Sequence, residues 1–325
     1  MPFLNRTING RADEALLWEG DEYRPDNSPA RGLNDVGLPA SLAQVQRRLC
    51  GHVDCLSGWT MPWRSRRRPI FEEQWGCSGR CVLAMVREAL RRESGDGIAA
   101  TATAPHRHRV PLGLLMLDQG WITHPQLQRA LEAQRQNGTG RIGEWLIAEC
   151  GLEAEQITRG LSMQWNCPVL SADGFSPEAM ALVMPGFLVE KLRLMPLRIA
   201  GGRILYLAFE DRLDASASLA IEQMTGLKVE SGVLNEVQLR AARSRLLECD
   251  SIEAKLEAAS DVDTLAGRIT AILEQKQPVA SRLVRLHQYH WLRLWLEDGT
   301  KGKSGRLPVS REDMSDYIFS VGPEG

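Results

Sequence analysis

The sequence predicts an α+β multidomain protein: a small zinc module, tandem helical hairpins, a small α/β subdomain and a C-terminal helix-strand extension. Three observations predict this order. Two close cysteine pairs lie in the first third of the chain, a motif occurs twice at a spacing of 30 residues, and branched runs then alternate with helical periodicity. The 325 residues suffice for two or three domains at about 150 residues each.

Composition is that of a soluble globular protein, with 43% hydrophobic and 25% charged residues. The 39 basic and 41 acidic side chains nearly balance, so net charge favours neither nucleic acid nor membrane. No apolar run reaches the ~18 residues of a membrane span. Asn5, Arg6 and Asn9 interrupt the opening stretch, where a signal peptide requires an apolar core. We therefore expect a cytoplasmic protein without membrane insertion.

Changes in composition along the chain predict six segments. They are a disordered arm (1–40), a four-cysteine zinc module (41–95), a linker (96–107), a helical tandem-motif subdomain (108–170), an α/β subdomain (171–250) and a C-terminal extension with its tail (251–325).

The cysteines of the first module have the spacing of a metal site: Cys50 and Cys55 form one close pair, and Cys77 and Cys81 form another. Zn²⁺ prefers four soft ligands in a tetrahedron, and Cys81 opens an amphipathic helix whose N-terminus favours the thiolate. The segment IFEEQWGC before that helix resembles the hairpin of a treble-clef zinc module. His52 is an alternative ligand, and four cysteines buried around a small core are the alternative to zinc.

An arginine-rich stretch, 64–68, lies between the two cysteine pairs. Guanidinium groups there could contact phosphates of nucleic acid, but a solvated basic loop is the better interpretation, because the helix that follows is not strongly basic. Nucleic acid is therefore not an expected partner.

The duplicated motif predicts two similar helical hairpins that bury their apolar stripes against each other. A shift of 30 residues superposes Leu112-Gly113 on Ile142-Gly143, Leu127 on Ile157, Leu131 on Leu161, and Gln134 on Gln164. Thr123 is the expected N-cap of the second helix, with Gln126 completing a capping box.

This tandem pattern resembles the N-terminal, MshEN-type domain of type II secretion and type IV pilus assembly ATPases. The resemblance continues through MPLRIAGGRILYLAFEDRLD and covers about residues 108 to 247. It implies one of two roles, because some members bind cyclic di-GMP through the two motifs and others use the domain only for protein contacts. A component of secretion or pilus machinery, or a signalling protein, is the implied partner.

The resemblance also implies a set of ligand-binding residues. They are Arg109, Leu112, Gly113, Leu127, Leu131, Gln134, Arg141, Ile142, Gly143, Ile157, Leu161 and Gln164. The glycines would admit a purine or phosphate close to the backbone, and the leucines would flank guanine rings or simply pack the core. Arg141 begins the second motif as the family pattern requires, whereas Pro111 holds that place in the first motif with Arg109 upstream as a substitute. Cys150 stands where the second motif expects glycine.

Catalytic motifs are incomplete. Gly302-Lys303-Ser304 imitates the end of a phosphate-binding loop, but Glu297 replaces the required glycine, and the stretch to the end of the chain offers no room for an ATPase domain. We expect a non-catalytic regulatory or adaptor protein. The hypotheses are a cyclic di-GMP receptor, a nucleotide-independent adaptor and, less favoured, a nucleic-acid binder.

The remaining elements follow from periodicity. Strands are expected at 195–197, 203–209 and 228–233, and helices at 215–224, 236–247 and 263–276. Residues 281–297 are expected to form one amphipathic strand that covers a second core. Its apolar face is Val284, Leu286, Leu292, Leu294 and Leu296, and its other face is Arg285, His287, Tyr289, Trp291, Arg293 and Trp295. The final 25 or so residues are polar and are expected to be a tail.

Overall fold

The computed structural model describes residues 50–56, 70–95, 109–210, 213–250, 252, 254–296, 311–312 and 314–322. The predicted arm at 1–40, the arginine-rich stretch 64–68, the linker 96–107 and the 302–304 tripeptide lie outside the described residues. Within the described residues the predicted α+β class is confirmed.

The cysteine-rich module consists of a short hairpin followed by a helix. Strands β1 (Ile70–Phe71) and β2 (Gln74–Trp75) are antiparallel, and α1 spans Gly79–Ser94. The Ser78 hydroxyl accepts a hydrogen bond from the backbone N–H of Cys81, which fixes the start of α1 next to the second cysteine pair. The hairpin-then-helix order agrees with the treble-clef expectation.

Four helices form the tandem hairpins: α2 (Leu112–Asp118), α3 (His124–Asn137), α4 (Ile142–Cys150) and α5 (Ala154–Trp165). Capping boxes start α3 and α5 at equivalent places, formed by Thr123 with Gln126 and by Glu153 with Gln156. The two copies therefore have the same local structure.

The copies interlock. Helix α2 of the first copy packs on α5 of the second, and α4 of the second packs on α3 of the first. Met116 and Leu146, which are equivalent under the 30-residue shift, are both fully buried in the shared core. Each copy thus completes the apolar interior of the other.

The α/β unit follows, comprising α6 (Pro177–Ala181), α7 (Gly186–Leu192), β3 (Leu194–Ala200), β4 (Ile204–Phe209), α8 (Ala215–Thr225), β5 (Lys228–Val233) and α9 (Glu236–Glu248). Its sheet has the order β3-β4-β5, with β3 antiparallel to β4 and β4 parallel to β5. Helix α8 makes the crossover that the parallel pair requires. Helices α6 and α7 were not predicted.

The C-terminal unit contains β6 (Ala254–Ala259), α10 (Val262–Lys276), β7 (Ala280–Leu286), β8 (Tyr289–Trp295) and β9 (Met314–Val321), and its sheet has the order β6-β9-β8-β7. Two predictions are wrong here. The expected strand at 281–297 is a hairpin that turns at His287 and Gln288, where His287 takes a φ of 55°. The expected polar tail contains β9, whose Tyr317 and Phe319 are buried.

The hairpin turn changes which side chains share a face. Val284 and Leu286 lie with Trp291 against the α/β unit, although the continuous strand had placed them on opposite faces. Leu283 and Leu292 face the other way, toward α1 and α10. The sheet is therefore a middle layer, covered by helices on one side and by the α/β unit on the other.

The cysteine-rich module closes one edge of this sheet. The backbone N–H of Ile70 donates to Pro278, and the Ser281 hydroxyl donates to the carbonyl of Ile70. The carboxylate of Glu72 accepts from the N–H of Leu283, and that of Glu93 accepts from the N–H of Arg285. The β7 edge thereby gains partners for backbone donors that would otherwise meet solvent.

Candidate functional site

A cavity of about 390 Å³ lies between the tandem hairpins and the α/β unit. The hairpins supply its apolar wall through Leu112, Ile142, Ile157 and Leu161, and Leu239 of α9 lies among the lining residues from the α/β unit. Mostly apolar clefts of this size with a few polar groups are typical of small-molecule sites.

Seven of the twelve predicted ligand residues line the cavity. They are Leu112, Arg141, Ile142, Gly143, Ile157, Leu161 and Gln164. The other five, Arg109, Gly113, Leu127, Leu131 and Gln134, lie outside the lining. The second motif therefore dominates the cavity, with α2 of the first motif closing one side.

The two glycines serve helix packing. A Cβ atom on Gly113 would lie 2.5 Å from Leu127 Cδ1, and one on Gly143 would lie 3.1 Å from Ile157 Cγ2. Helices α2 and α4 approach their neighbours closely because both positions lack a side chain. Gly143 also lines the cavity, so its bare backbone remains available to a ligand.

The paired glutamines make equivalent hydrogen bonds between the copies. The Gln134 side-chain amide donates to the carbonyl of Gly140 at 3.1 Å, and that of Gln164 donates to the carbonyl of Val110 at 2.9 Å. Gly140 and Val110 are themselves related by the 30-residue shift. Each glutamine thus joins the end of one copy to the start of the other.

Arg141 is the principal cation of the cavity and has several carboxylate partners. Its Nη2 lies 3.0 Å from Glu210 Oε1 and 3.6 Å from Glu236 Oε1, and its Nε lies 3.3 Å from Glu144 Oε1. Its side chain is 38% exposed, so an incoming ligand can reach the guanidinium. A guanidinium presents a planar fork that suits phosphate as well as carboxylate.

Arg109 occupies a different place from Arg141. Its guanidinium carbon lies 3.3 Å from the centre of the Trp165 ring, in a cation–π contact. The first copy therefore contributes no cation to the lining of the cavity, where Pro111 stands instead.

Sequence reasoning did not select the cavity residues of the α/β unit. They are Glu210, Leu234, Glu236 and Leu239. Glu210 directly follows β4 and Leu234 directly follows β5, and these two strand ends meet at one edge of the sheet. Glu236 and Leu239 lie in the first turn of α9, which comes next. The parallel pairing of β4 with β5 was the signal that could have found them, because neighbouring parallel strands end side by side.

The four predicted cysteine ligands meet at a second site. The sulfurs of Cys50, Cys55, Cys77 and Cys81 all lie within 4.8 Å of one another, and Cys77 Sγ is 3.5 Å from those of Cys55 and Cys81. Four sulfurs bound to tetrahedral zinc are about 3.8 Å apart. The donor set and its spacing therefore fit a metal ion, and His52 does not belong to the cluster.

Burial disfavours the thiolate form of Cys50 and Cys81 when no cation is bound. It raises the pKa of Cys81 to about 12, against the opposing hydrogen bond from Ser78, and it also raises the pKa of Cys50. The expectation that the N-terminus of α1 favours the Cys81 thiolate is therefore wrong for the metal-free chain, because burial outweighs it. A metal ion binds the thiolate and displaces its proton, so a cation would supply the charge that the cluster lacks.

Comparisons with known proteins agree with the motif. No family model matches the chain. A type IV pilus assembly ATPase PilB of Myxococcus xanthus is 31% identical over 170 residues, and one of Thermus thermophilus is 29% identical over 123 residues. These matches include 48% and 37% of this chain. The predicted resemblance is confirmed over this part of the chain.

The pilus ATPases are much longer than the region they share with this chain. The matches span 30% of the Myxococcus protein and 14% of the Thermus protein. A solved structure of MshE with cdg is 28% identical, covers 42% of this chain and 99% of its own, and gives a TM-score of 0.35. The N-terminal domain of XpsE is 18% identical, covers 41% of this chain and 92% of its own, and gives a TM-score of 0.29.

None of the helices in the described ranges combines the length and apolarity that crossing a membrane requires.

Proposed function

We propose that this protein is a regulatory component of a secretion or pilus-type system that binds cyclic di-GMP in the cavity between the tandem hairpins and the α/β unit. Its role is binding rather than catalysis. The observation that carries the proposal is the composition of the cavity: the second copy of the tandem motif supplies Arg141, Ile142, Gly143 and Gln164 to one continuous lining.

The chemistry of the cavity suits the two parts of such a ligand. The guanidinium of Arg141 can bind a phosphate, and the aliphatic wall formed by Ile142, Ile157 and Leu161 can hold a purine ring. Guanine carries N–H donors, and the carboxylates of Glu144 and Glu236 are acceptors at the same cavity. A ligand bound here would contact both units and so couple their arrangement to its concentration.

Calorimetric titration of the full chain with cyclic di-GMP tests this function. We expect a saturable site in the wild type and a loss of about tenfold to a hundredfold in affinity for Arg141→Ala, the effect of losing a charge-assisted contact. Arg135→Ala is the matched control, because Arg135 is exposed on α3 and lies outside the cavity lining. Cyclic di-AMP should bind more weakly. A folded wild type that gives no heat with cyclic di-GMP contradicts the proposal.

The ion pairs of Arg141 favour a second candidate, a nucleotide-independent adaptor. Glu144, Glu210 and Glu236 already neutralise this guanidinium, so the cavity region is a stable internal contact in the free protein. In this case affinity capture with the full chain recovers a secretion or pilus component. The recovery is then unchanged by added cyclic di-GMP and by Arg141→Ala, whereas a receptor would respond to both.

We also propose that the cysteine cluster holds one structural zinc ion. The four-sulfur donor set and its spacing support zinc over harder cations. Cysteines that serve as metal ligands must remain reduced, which agrees with the cytoplasmic location that the sequence predicts.

A further inference from the structure

Glu210 occupies a special place in the cavity wall. It directly follows β4, its side chain is 12% exposed, and its backbone N–H donates to the carbonyl of Arg193. One carboxylate oxygen lies 3.0 Å from Arg141 Nη2 and the other lies 3.0 Å from Arg243 Nη2. Glu210 therefore links Arg141, the N-cap residue of α4, to α9 of the α/β unit through two charged hydrogen bonds.

The described charged side chains at the cavity already pair with one another. Arg141 lies near the carboxylates of Glu144, Glu210 and Glu236, while Arg243 pairs with Glu210 and Arg240 with Glu236 from outside the cavity lining. A phosphate that enters the cavity therefore meets an Arg141 that is already paired. It must take Arg141 from a carboxylate that already binds it, and Glu210 is the closest and the most buried of the three.

We infer that Glu210 is a specificity-determining residue that competes with the anionic group of the ligand for Arg141. This inference rests on the cavity being the cyclic di-GMP site proposed above. When phosphate binds Arg141, Glu210 keeps Arg243 as its partner and remains in place as a hydrogen-bond acceptor. The site then selects ligands that offer an N–H donor together with the phosphate, and it discriminates against a bare phosphate.

The exchange also changes how the two units are joined. In the free protein, Glu210 connects Arg141 to the α/β unit directly. In the bound protein, the ligand replaces this connection, because its phosphate holds Arg141 while its base contacts Glu210. Ligand binding would thus replace the ion pair between Arg141 and Glu210 with contacts from the ligand to each of these residues.

Two substitutions that each remove one charge separate this role from a merely structural one. Glu210→Gln removes the competing charge and should raise the affinity for cyclic di-GMP about tenfold, and it should also give inorganic phosphate measurable affinity. Arg243→Gln removes the other partner of Glu210, strengthens its hold on Arg141, and should lower the affinity for cyclic di-GMP. A general loosening of the fold would shift both affinities in the same direction.

Calorimetry with the full chain measures both effects, and Glu230→Gln is the control. Glu230 pairs with Lys228 on β5 and lies outside the cavity lining, so its substitution should leave the affinity unchanged. If the wild type binds cyclic di-GMP and Glu210→Gln binds it equally or more weakly, the competition is refuted while the proposed function stands. Binding by Glu210→Gln alone supports the competition. Binding by neither protein overturns both proposals.

Discussion

Residues that pack together in the tandem hairpins are close in sequence, whereas those that pack on the C-terminal sheet come from distant parts of the chain. The hairpins bury side chains from four consecutive helices and from their connections, all between residues 112 and 165. The C-terminal sheet has its β7 edge covered by Glu72, which is 211 residues away from Leu283 in sequence. Helix α1 of the cysteine-rich module shares a core with α10 and the sheet.

This difference shows where each unit obtains its stability. The hairpins rely on a repeated local motif with tight helix contacts. The C-terminal sheet relies on long-range elements, a cysteine cluster and a buried ion pair, because closing a contact over two hundred residues has an entropic cost that cross-links and strong polar contacts can offset. The two units should therefore respond to different substitutions.

Removing a metal ligand should produce the largest effect. In Cys77→Ser we expect the zinc content to fall from one ion per chain to nearly none, with a loss on the order of 10 kcal/mol of metal-dependent folding free energy. Because α1 packs on α10 and the β7 edge, amide exchange should increase in α10, β7 and β8. The helices α2 to α5 should keep their protection.

Cys249→Ser is the control for that experiment, since Cys249 lies outside the cluster. It should retain zinc and normal exchange. A wild-type chain that purifies without bound metal, or a Cys77→Ser chain whose hairpins unfold together with the sheet, would remove the distinction between the two units.

Breaking the buried ion pair should have the next largest effect. Arg293 is 2% exposed, pairs with both oxygens of Asp316, and donates to the carbonyls of Leu182 and Val183. Arg293→Met leaves the Asp316 carboxylate buried without its cation, and unfolding free energy should fall by about 3–5 kcal/mol in chemical denaturation.

The exposed pair between Arg91 and Glu88 provides the comparison for this substitution. Arg91→Met should cost less than about 1 kcal/mol, because solvent screens an exposed pair. Combining Arg293→Met with Asp316→Leu should recover part of the loss, since no unpaired charge then remains. Equal costs for Arg293→Met and Arg91→Met would show that the buried pair does not hold the sheet on the α/β unit.

The smallest expected effect is a difference in stability between alanine substitutions of the equivalent glycines in the two copies of the motif. Gly113→Ala places a Cβ 2.5 Å from Leu127 Cδ1 and should destabilise the protein by about 1 kcal/mol, the lower range for overpacking a core. Gly143→Ala meets Ile157 at 3.1 Å and should be close to neutral, because the better helix propensity of alanine offsets a mild contact. Thermal denaturation of both variants checks this, and a larger loss for Gly143→Ala would reverse the predicted order.

Sequence alone identified the features that depend on local chemistry. The capping box of Thr123 and Gln126 was predicted and is present, and the four cysteines meet as their spacing indicated. Strand β5 was predicted within its observed bounds. Each of these features has a signal within a short window of sequence: a capping pair, two close cysteine pairs, or a run rich in branched residues.

The failures occurred where distant partners decide the outcome. The expected strand at 281–297 runs through His287 and Gln288, and neither residue is the glycine that usually marks a tight hairpin turn. The signal that was present is the interruption of the apolar face by Gln288 and His290. Strand β9 was assigned to a polar tail because its burial depends on β6 and β8 on either side of it. Glu210 was missed for the same reason, since its partner Arg141 lies 69 residues earlier in the chain.

The amides of Gln134 and Gln164 close the two copies into a ring, because each finds its acceptor at the beginning of the opposite copy. In a single copy by itself, the glutamine amide at one end would have no contact with the backbone carbonyl at the other end. Two such fragments could form both hydrogen bonds by associating about a twofold axis. The single chain therefore contains, within one polypeptide, the kind of symmetric pairing that many proteins obtain by forming homodimers.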